Sequence, residues 1–265
     1  MPTRVVRHDE QDLVDDLAQA LDRDEFRLEY QPVVRLGGAA VVGAEALIRW
    51  RHPRRGTLAP SDFLPQAERA GLIDAIGNYV LEQACRTAAG WPRVGDNLPQ
   101  VSVNVAPVQL IDPAVAETML TTVSRTGLPP SSLVLELTGN VGAEADAIAR
   151  TLAVMREAGV RVALDDFGAA TSLRDLKRLT VDYVKLDREF VVDVDGPPEV
   201  STFSIAVLNL ADARGAEAVA KGIESREQAW RLAELGCRYG QGFFFSKPLG
   251  ATGMVAVLRK GTLRN

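Results

Sequence analysis

Apolar residues recur with two alternating periods along most of the chain, and that alternation predicts its architecture. Residues 11–23 place Leu13, Val14, Leu17, Ala20 and Leu21 at helical spacing, which predicts an amphipathic helix ahead of the rest. Residues 26–36 are rich in Val, Tyr and Leu, and Gly37-Gly38 leads into a second extended run over 41–50. Two strands joined so tightly have to be antiparallel, because a parallel pair needs a long crossover. From there the pattern repeats. Helices are predicted near 73–91, 113–125, 143–158, 173–179, 202–214, 226–235 and 252–260, interleaved with strands at 101–105, 133–137, 160–164, 183–186, 217–220 and near 240–245. Strand and helix patterns in alternation predict an α/β fold with a parallel sheet covered by helices. Eight strands in 265 residues predict closure into a (βα)8 TIM-like barrel with an antiparallel first strand. The predicted division is 1–24 as an N-terminal helix bracing the barrel and 25–265 as the barrel domain. The V-D-G-P-P run inside 193–198 reads as a surface loop.

Composition narrows the function classes. Hydrophobic residues make up 46% and charged residues 25%, ordinary values for a globular protein. A net charge of -5 lacks the basic footprint that drives binding to a DNA or RNA duplex, but leaves room for a small anion held through a metal. Cys85 and Cys237 do not have metal-ligand spacing, which disfavours a disulfide framework or a zinc site and fits a reducing cytoplasm. No apolar run of membrane-spanning length appears, and the first ten residues lack the apolar core of a signal peptide. A cytoplasmic location is therefore expected, with no membrane segment in this chain.

The candidate chemistry centres on R-V-A-L-D-D-F-G, Arg161 to Gly168, where an apolar strand ends in the adjacent carboxylates Asp165 and Asp166. Two like charges side by side repel, and a cation between them would resolve the conflict. Taken alone, the pair also reads as a strand that ends in solvent with an aspartate capping the next helix. Other predicted strands carry polar groups in the same place: Glu45 with Arg49 four residues on, Asn104, Glu136, and Lys185 ahead of Asp187. Each sits in an apolar run, where an unpaired charge is costly. Any one of them reads equally as a buried salt bridge. Together, Glu45, Asn104, Glu136 and Asp165 make an all-oxygen set suited to Mg or Mn, and with His8 and His52 as the only histidines a histidine-based centre is hard to build.

These residues also carry a family resemblance. G-A-E-A-L-I-R-W, F-L-P-Q-A-E, V-S-V-N-V, L-E-L-T, V-A-L-D-D-F-G, D-Y-V-K-L-D and Q-G-F-F-F-S-K-P-L follow one another between Phe26 and Leu249 and resemble the successive signatures of the EAL family of cyclic-di-GMP phosphodiesterases. The resemblance implies a barrel that cuts one phosphodiester of the cyclic dinucleotide with a water held between two Mg or Mn ions. Carried over by position, Glu45, Asn104, Glu136 and Asp165 would bind the first ion and Asp166 would help hold the second. Lys185 would contact the attacking water, Arg49 a ligand phosphate, and Gln241 a guanine.

Three departures bear on that expectation. Active members read A-E-G-V-E after the seventh strand, whereas this chain reads Ala220-Lys221-Gly222-Ile223-Glu224, so Lys221 stands in place of a second-ion ligand and candidate general base. A glutamate usual three residues beyond the fourth-strand ligand is replaced by Gly139, and the loop after Asp-Asp reads D-D-F-G-A-A-T-S-L, one residue shorter than usual. The expected function is a cyclic-di-GMP-recognising receptor or regulatory module of bacterial second-messenger signalling, with phosphodiesterase activity lost or impaired. The alternatives are an active Mg- or Mn-dependent phosphodiesterase yielding linear pGpG, and a nucleotide-independent interaction module. A receptor implies a protein partner; the family's homodimer contact depends on the shortened loop.

Overall fold

The structure is a computed structural model and describes residues 13–168, 173–192, 194 and 198–263. Residues 13–20 form α1, and its apolar stripe of Leu13, Leu17 and Ala20 is buried in the common core. Asp16, at the edge of that stripe, pairs with Arg54 Nη2 at 2.5 Å.

Strands β1 (Phe26–Arg35) and β2 (Ala40–His52) form an antiparallel hairpin registered from Phe26 opposite Trp50 to Arg35 opposite Ala40. The turn between them includes Gly37 at φ +84°, a conformation open to glycine at little cost. A short flap, β3 (Gly56–Leu58), pairs antiparallel with the end of β2. The parallel strands follow as β4 (Gln100–Val105), β5 (Leu133–Leu137), β6 (Arg161–Phe167), β7 (Tyr183–Leu186), β8 (Glu217–Ala220) and β9 (Tyr239–Gly240). The sheet runs β1-β9-β8-β7-β6-β5-β4-β2, and the β1–β2 pairing closes it into an eight-stranded barrel in which β1 is antiparallel to both neighbours.

The helices on the outside are α2 (Pro60–Arg69), α3 (Ile73–Ala89), α4 (Ala114–Thr126), α5 (Ala145–Glu157), α6 (Leu173–Arg178), α7 (Arg188–Val192), α8 (Pro198–Ala213), α9 (Arg226–Glu234) and α10 (Ala251–Lys260). The core lies between barrel and helices. Phe26, Trp50 and Phe63 meet there with ring centroids 5.6 to 5.9 Å apart, locking α2 onto the hairpin.

The short elements β3 and α7 were not anticipated, and three further elements differ from the sequence expectation. Helix α2 was not anticipated, because its first turn contains Pro60 and its middle Pro65; Asp62 Oδ2 accepts the Ala59 N–H at 2.8 Å and starts the helix regardless. The last strand is shorter than the apolar run near 240–245. Beyond Gly240 the chain turns, with Phe244 N–H donating to Ile223 O at 3.0 Å and Phe245 N–H to Gly242 O at 3.1 Å. Gly242 passes so close to Ile223 that a Cβ would lie 2.1 Å from its carbonyl oxygen. Strand β6, by contrast, runs past Leu164 to Phe167, carrying both aspartates inside the strand. Most of the loop expected over 193–198 lies outside the described residues.

Candidate functional site

Alternation along the parallel strands points every second side chain into the barrel, and near the carboxyl ends those positions are Glu45, Asn104, Glu136, Asp165 and Lys185. The register places Asn104 beside Glu136, and Glu136 beside Ala163 two residues before Asp165. The groups meet. Ligand oxygens of Glu45, Glu136 and Asp165 all lie within 4.8 Å of one another, and all three residues are buried. Asn104 Nδ2 donates to Glu45 Oε1 at 2.9 Å, which leaves the Asn104 carbonyl oxygen available to a cation.

Two ammonium groups balance these carboxylates. Lys185 Nζ donates to Glu136 Oε2 at 2.6 Å and to Glu45 Oε2 at 2.8 Å, and stands 4.0 Å from Asp165 Oδ1. Only 2% of its side chain is exposed. Burial alone would strip its proton, but Asp165, Glu136 and Glu45 outweigh that and raise its pKa, so it remains a cation. Burial likewise works against ionised Glu45, yet the Lys185 and Lys221 charges hold that carboxyl down at about 2. Glu136 goes the other way: burial, then the neighbouring Glu45 charge, push it up to about 8. The two neighbouring acids are thus pushed in opposite directions, as expected where like charges crowd a dry site.

Lys221 follows β8 and reaches inward. Its Nζ donates to Asp165 Oδ1 at 2.8 Å, to Asp165 Oδ2 at 3.0 Å and to Asp166 Oδ1 at 2.5 Å. Adjacent residues of a regular strand point to opposite faces, so one ammonium could not hold both aspartates without a break in the pleat. The break is a bulge: Leu164 pairs with Val184 and Phe167 with Leu186, leaving one extra residue on β6. Asp166 sits at φ +47°, the left-handed conformation that aspartate tolerates better than most residues, and its N–H donates to Asp165 Oδ1 at 2.8 Å. The sequence showed the two carboxylates but gave no sign of the bulge that turns them to one side.

Gln241 is 3% exposed and donates Nε2 to Glu45 Oε2 at 2.7 Å, so it belongs to the buried cluster. Arg49 lies apart from the cluster, ion-paired through Nε with Glu29 Oε2 at 2.8 Å. Gly139 stands at φ +93° just beyond β5, where a glutamate would be strained on this loop path. Glu224, the acid nearest Lys221 in sequence, is turned outward to Arg188 Nη2 at 2.7 Å and takes no part in the cluster. Residues 169–172 of the shortened loop lie outside the described residues. Cys85 and Cys237 are free and buried, and burial pushes both thiols up to about 12.

A groove of about 910 Å³ opens above the cluster, lined by Asn104, Asp165 and Asp166 on its floor and by the loops after β4 and β5 on one wall. Residues of α2 and α3, including Leu64, Glu68 and Gly77, form the other wall. Gln109 had no signal in the sequence pattern. It is buried beside this groove, where Oε1 accepts the Ala106 N–H at 3.0 Å and Nε2 donates to Ile73 O at 3.2 Å, tying the loop after β4 to the start of α3.

An eight-stranded barrel with buried oxygen ligands at the carboxyl ends of its strands, under an open groove, belongs to the class of TIM-barrel proteins whose chemistry sits at that face. Comparison with known proteins gives the family. The EAL domain pattern matches residues 14–248, and the chain belongs to the EAL family. It is 41% identical over 237 residues to an uncharacterized protein of Mycobacterium tuberculosis, covering 87% of this chain and 77% of the relative. It is 38% identical over 239 residues to the cyclic di-GMP phosphodiesterase RocR of Pseudomonas aeruginosa, covering 89% of this chain and 60% of RocR. Among solved structures, the PaMucR phosphodiesterase in complex with c-di-GMP superposes with a TM-score of 0.84 at 35% identity, over 92% of this chain and 99% of that one. Among the described residues no helix is long and apolar enough to cross a membrane.

Proposed function

We propose that this domain recognises cyclic-di-GMP in the groove at the carboxyl ends of the strands, and that its phosphodiesterase activity is lost or impaired. The observation that carries this reading is the Lys221 ammonium bound to both Asp165 and Asp166. On this reading the protein acts in the cytoplasm as a receptor or regulatory module of bacterial second-messenger signalling, through a protein partner and as a homodimer where its contacts allow.

The donor set fits one divalent ion of the Mg or Mn type: Glu45, Glu136 and Asp165 converge, and Asn104 offers a neutral oxygen. Such an ion would polarise a phosphate and a water. A second ion drawn to Asp165 and Asp166 would have to displace Lys221, whose positive charge opposes it. The same ammonium suits a ligand phosphate, so binding survives where hydrolysis does not. Lys185 keeps Glu45 and Glu136 in place and has one N–H beyond the two it donates to them. Arg49 is 18% exposed, and its fork would exchange Glu29 for a phosphate oxygen of the ligand. Gln241 is 3% exposed and bound to Glu45, so we assign it to holding Glu45 in position rather than to meeting a guanine. The c-di-GMP complex of the PaMucR phosphodiesterase, with the same fold, supports the choice of ligand.

The second reading, an active phosphodiesterase yielding pGpG, is favoured by the complete first-ion set with Lys185 in its midst. A calorimetric titration with cyclic-di-GMP, in Mg and in chelator, run beside a chromatographic assay, separates the two. Saturable binding with intact ligand is expected. Accumulation of pGpG that a Glu45→Ala variant abolishes would make the domain an enzyme, and absence of binding under both conditions would leave a nucleotide-independent interaction module.

A further inference from the structure

The barrel is hollow at the end opposite the groove. A cavity of about 510 Å³ enters at the amino ends of the parallel strands, beside Arg35, Arg93 and Gln100, and reaches inward as far as Lys185, Glu136 and Gln241. Barrels of this kind usually fill their interior with layers of bulky side chains. Here Gly43, Ser102 and Ala163 line the space and leave it open.

Its inner end presents an acceptor. The Gln241 amide is oriented by Glu45, since an ionised carboxylate can only accept and therefore takes the Nε2–H at 2.7 Å. The other amide atom, Oε1, is buried and has no hydrogen-bond partner. Buried acceptors are normally met by a donor, and this one belongs to a side chain lining the cavity.

Its mouth presents cations and aromatic rings. Arg35 is exposed and stacks over the Tyr239 ring, 5.2 Å from the centroid, with only a long 3.5 Å contact from Nη2 to the Tyr239 hydroxyl. Arg93 is also exposed and gives one N–H to Asp96 O at 2.7 Å, so both guanidinium groups keep donors to spare. The Tyr183 and Tyr239 rings stand edge to face with centroids 6.2 Å apart, and Tyr183 is anchored by its hydroxyl to Gln100 Oε1 at 3.1 Å. Asp96 lines the rim, and Glu217, ion-paired with Arg238 Nη1 at 2.5 Å, adds a second carboxylate beside the Tyr239 hydroxyl.

The order of groups along the cavity sets the ligand: Arg35 and Tyr239 pair at the mouth, and Gln241, two residues further along, lies at the inner end. A benzene ring with its acid and its donor at para positions presents an anion, a flat face and a donor in that order. We propose that this cavity is a second binding site, for a small aromatic acid carrying a hydrogen-bond donor para to its acid group. The carboxylate meets Arg35 and Arg93, the ring lies against Tyr183 and Tyr239, and the donor satisfies Gln241 Oε1. Nothing in this assignment depends on what occupies the groove at the other end.

The test is calorimetric titration of the full chain with 4-hydroxybenzoate as probe, beside benzoate and phenol, each of which lacks one of the two polar ends. The expected result is saturable binding with a dissociation constant below about 1 mM. Loss of either end should weaken binding by about tenfold or more. Arg35→Ala at the rim and Val134→Phe, which fills the cavity, should each abolish saturable binding. Absence of saturable heat at millimolar 4-hydroxybenzoate would overturn the proposal. So would equal affinity for all three probes, or unchanged affinity in Arg35→Ala, a surface change that stands as the deciding variant if Val134→Phe fails to fold.

Discussion

Lys221 Nζ lies 2.5 Å from Asp166 Oδ1 and, at the same time, 2.8 Å from Asp165 Oδ1, so one ammonium holds two consecutive carboxylates. Replacing it by an acid changes the local charge by two units and turns a repulsive position into an attractive one for a divalent ion. Lys221→Glu is expected to lower the melting temperature in chelator and to gain more stabilisation from Mn than the parent does. Hydrolysis of cyclic-di-GMP should rise by at least about 10²-fold, the scale on which single preorganised electrostatic groups act. Unchanged turnover, followed by chromatography of the products, would show that Lys221 does not limit the chemistry.

Lys185 supports the cluster from within. Its side chain is 2% exposed, and removing its charge takes the ammonium from Glu45 and Glu136 and leaves Lys221, bound to Asp165, as the cation nearest the buried acids. Lys185→Met should cost about 3–5 kcal/mol, measured by urea denaturation in chelator. Mn should return part of that loss, and more of it than Mn adds to the parent, because the ion then supplies the missing positive charge.

A second ionic knot lies at the start of β7 and gives a pH signature. Asp182 accepts from Arg156 Nε at 3.2 Å, from Arg161 Nη1 at 3.0 Å and from the Val162 N–H at 2.9 Å. Burial opposes the charge, but these donors outweigh it and hold the Asp182 carboxyl below its ordinary value of 3.8. A depressed folded-state pKa means stability that is fully present above the unfolded value and lost as the pH falls through the folded one. Asp182→Asn should therefore lose about 1–3 kcal/mol at neutral pH. The gap to the parent should close below about pH 4, which chemical denaturation at a series of pH values will read.

The crossing of Gly242 and Ile223 is a packing prediction. A Cβ at Gly242 would meet Ile223 O at 2.1 Å and Ile223 N at 2.2 Å, backbone atoms with little freedom to move. Gly242→Ala should cost about 1–3 kcal/mol or more, as overpacking does. Gly250→Ala is the matched control, since nothing lies within 4 Å of that position and its φ is negative. Equal melting temperatures for the two variants would contradict the contact.

Much of this was legible in the sequence, for reasons tied to particular residues. The antiparallel β1–β2 pair was fixed by a turn too short for a crossover, and the cluster by polar residues at inward positions of apolar strands, where Glu45, Asn104, Glu136, Asp165 and Lys185 do converge. The features that escaped depend on contacts between distant segments. Strand β9 stops early because Gly242 has to cross Ile223, and α2 forms across two prolines because Phe63 packs between Phe26 and Trp50. The Asp166 backbone at φ +47° is imposed by the bulge against β7, which no local propensity signals. Gln241 illustrates the limit: its place in the order of motifs was plain, but its partner, Glu45, lies 196 residues away.

The antiparallel hairpin also sets the order in which the barrel can assemble. Strands β1 and β2 meet through a local turn, so their pairing needs only a small loop closure and can form on the microsecond scale of hairpins. The seam on the other side of β1 is different: β9 contributes two residue pairs, Val34 with Gly240 and Arg35 with Tyr239, the latter separated by 204 positions. Contacts that distant carry the largest entropic delay. The cylinder therefore zips from its hairpin through the parallel strands and seals last along β1–β9. That seam is also the first place it should part, and amide exchange at Val34, Leu36 and Leu249 would reveal the opening before the hairpin loosens.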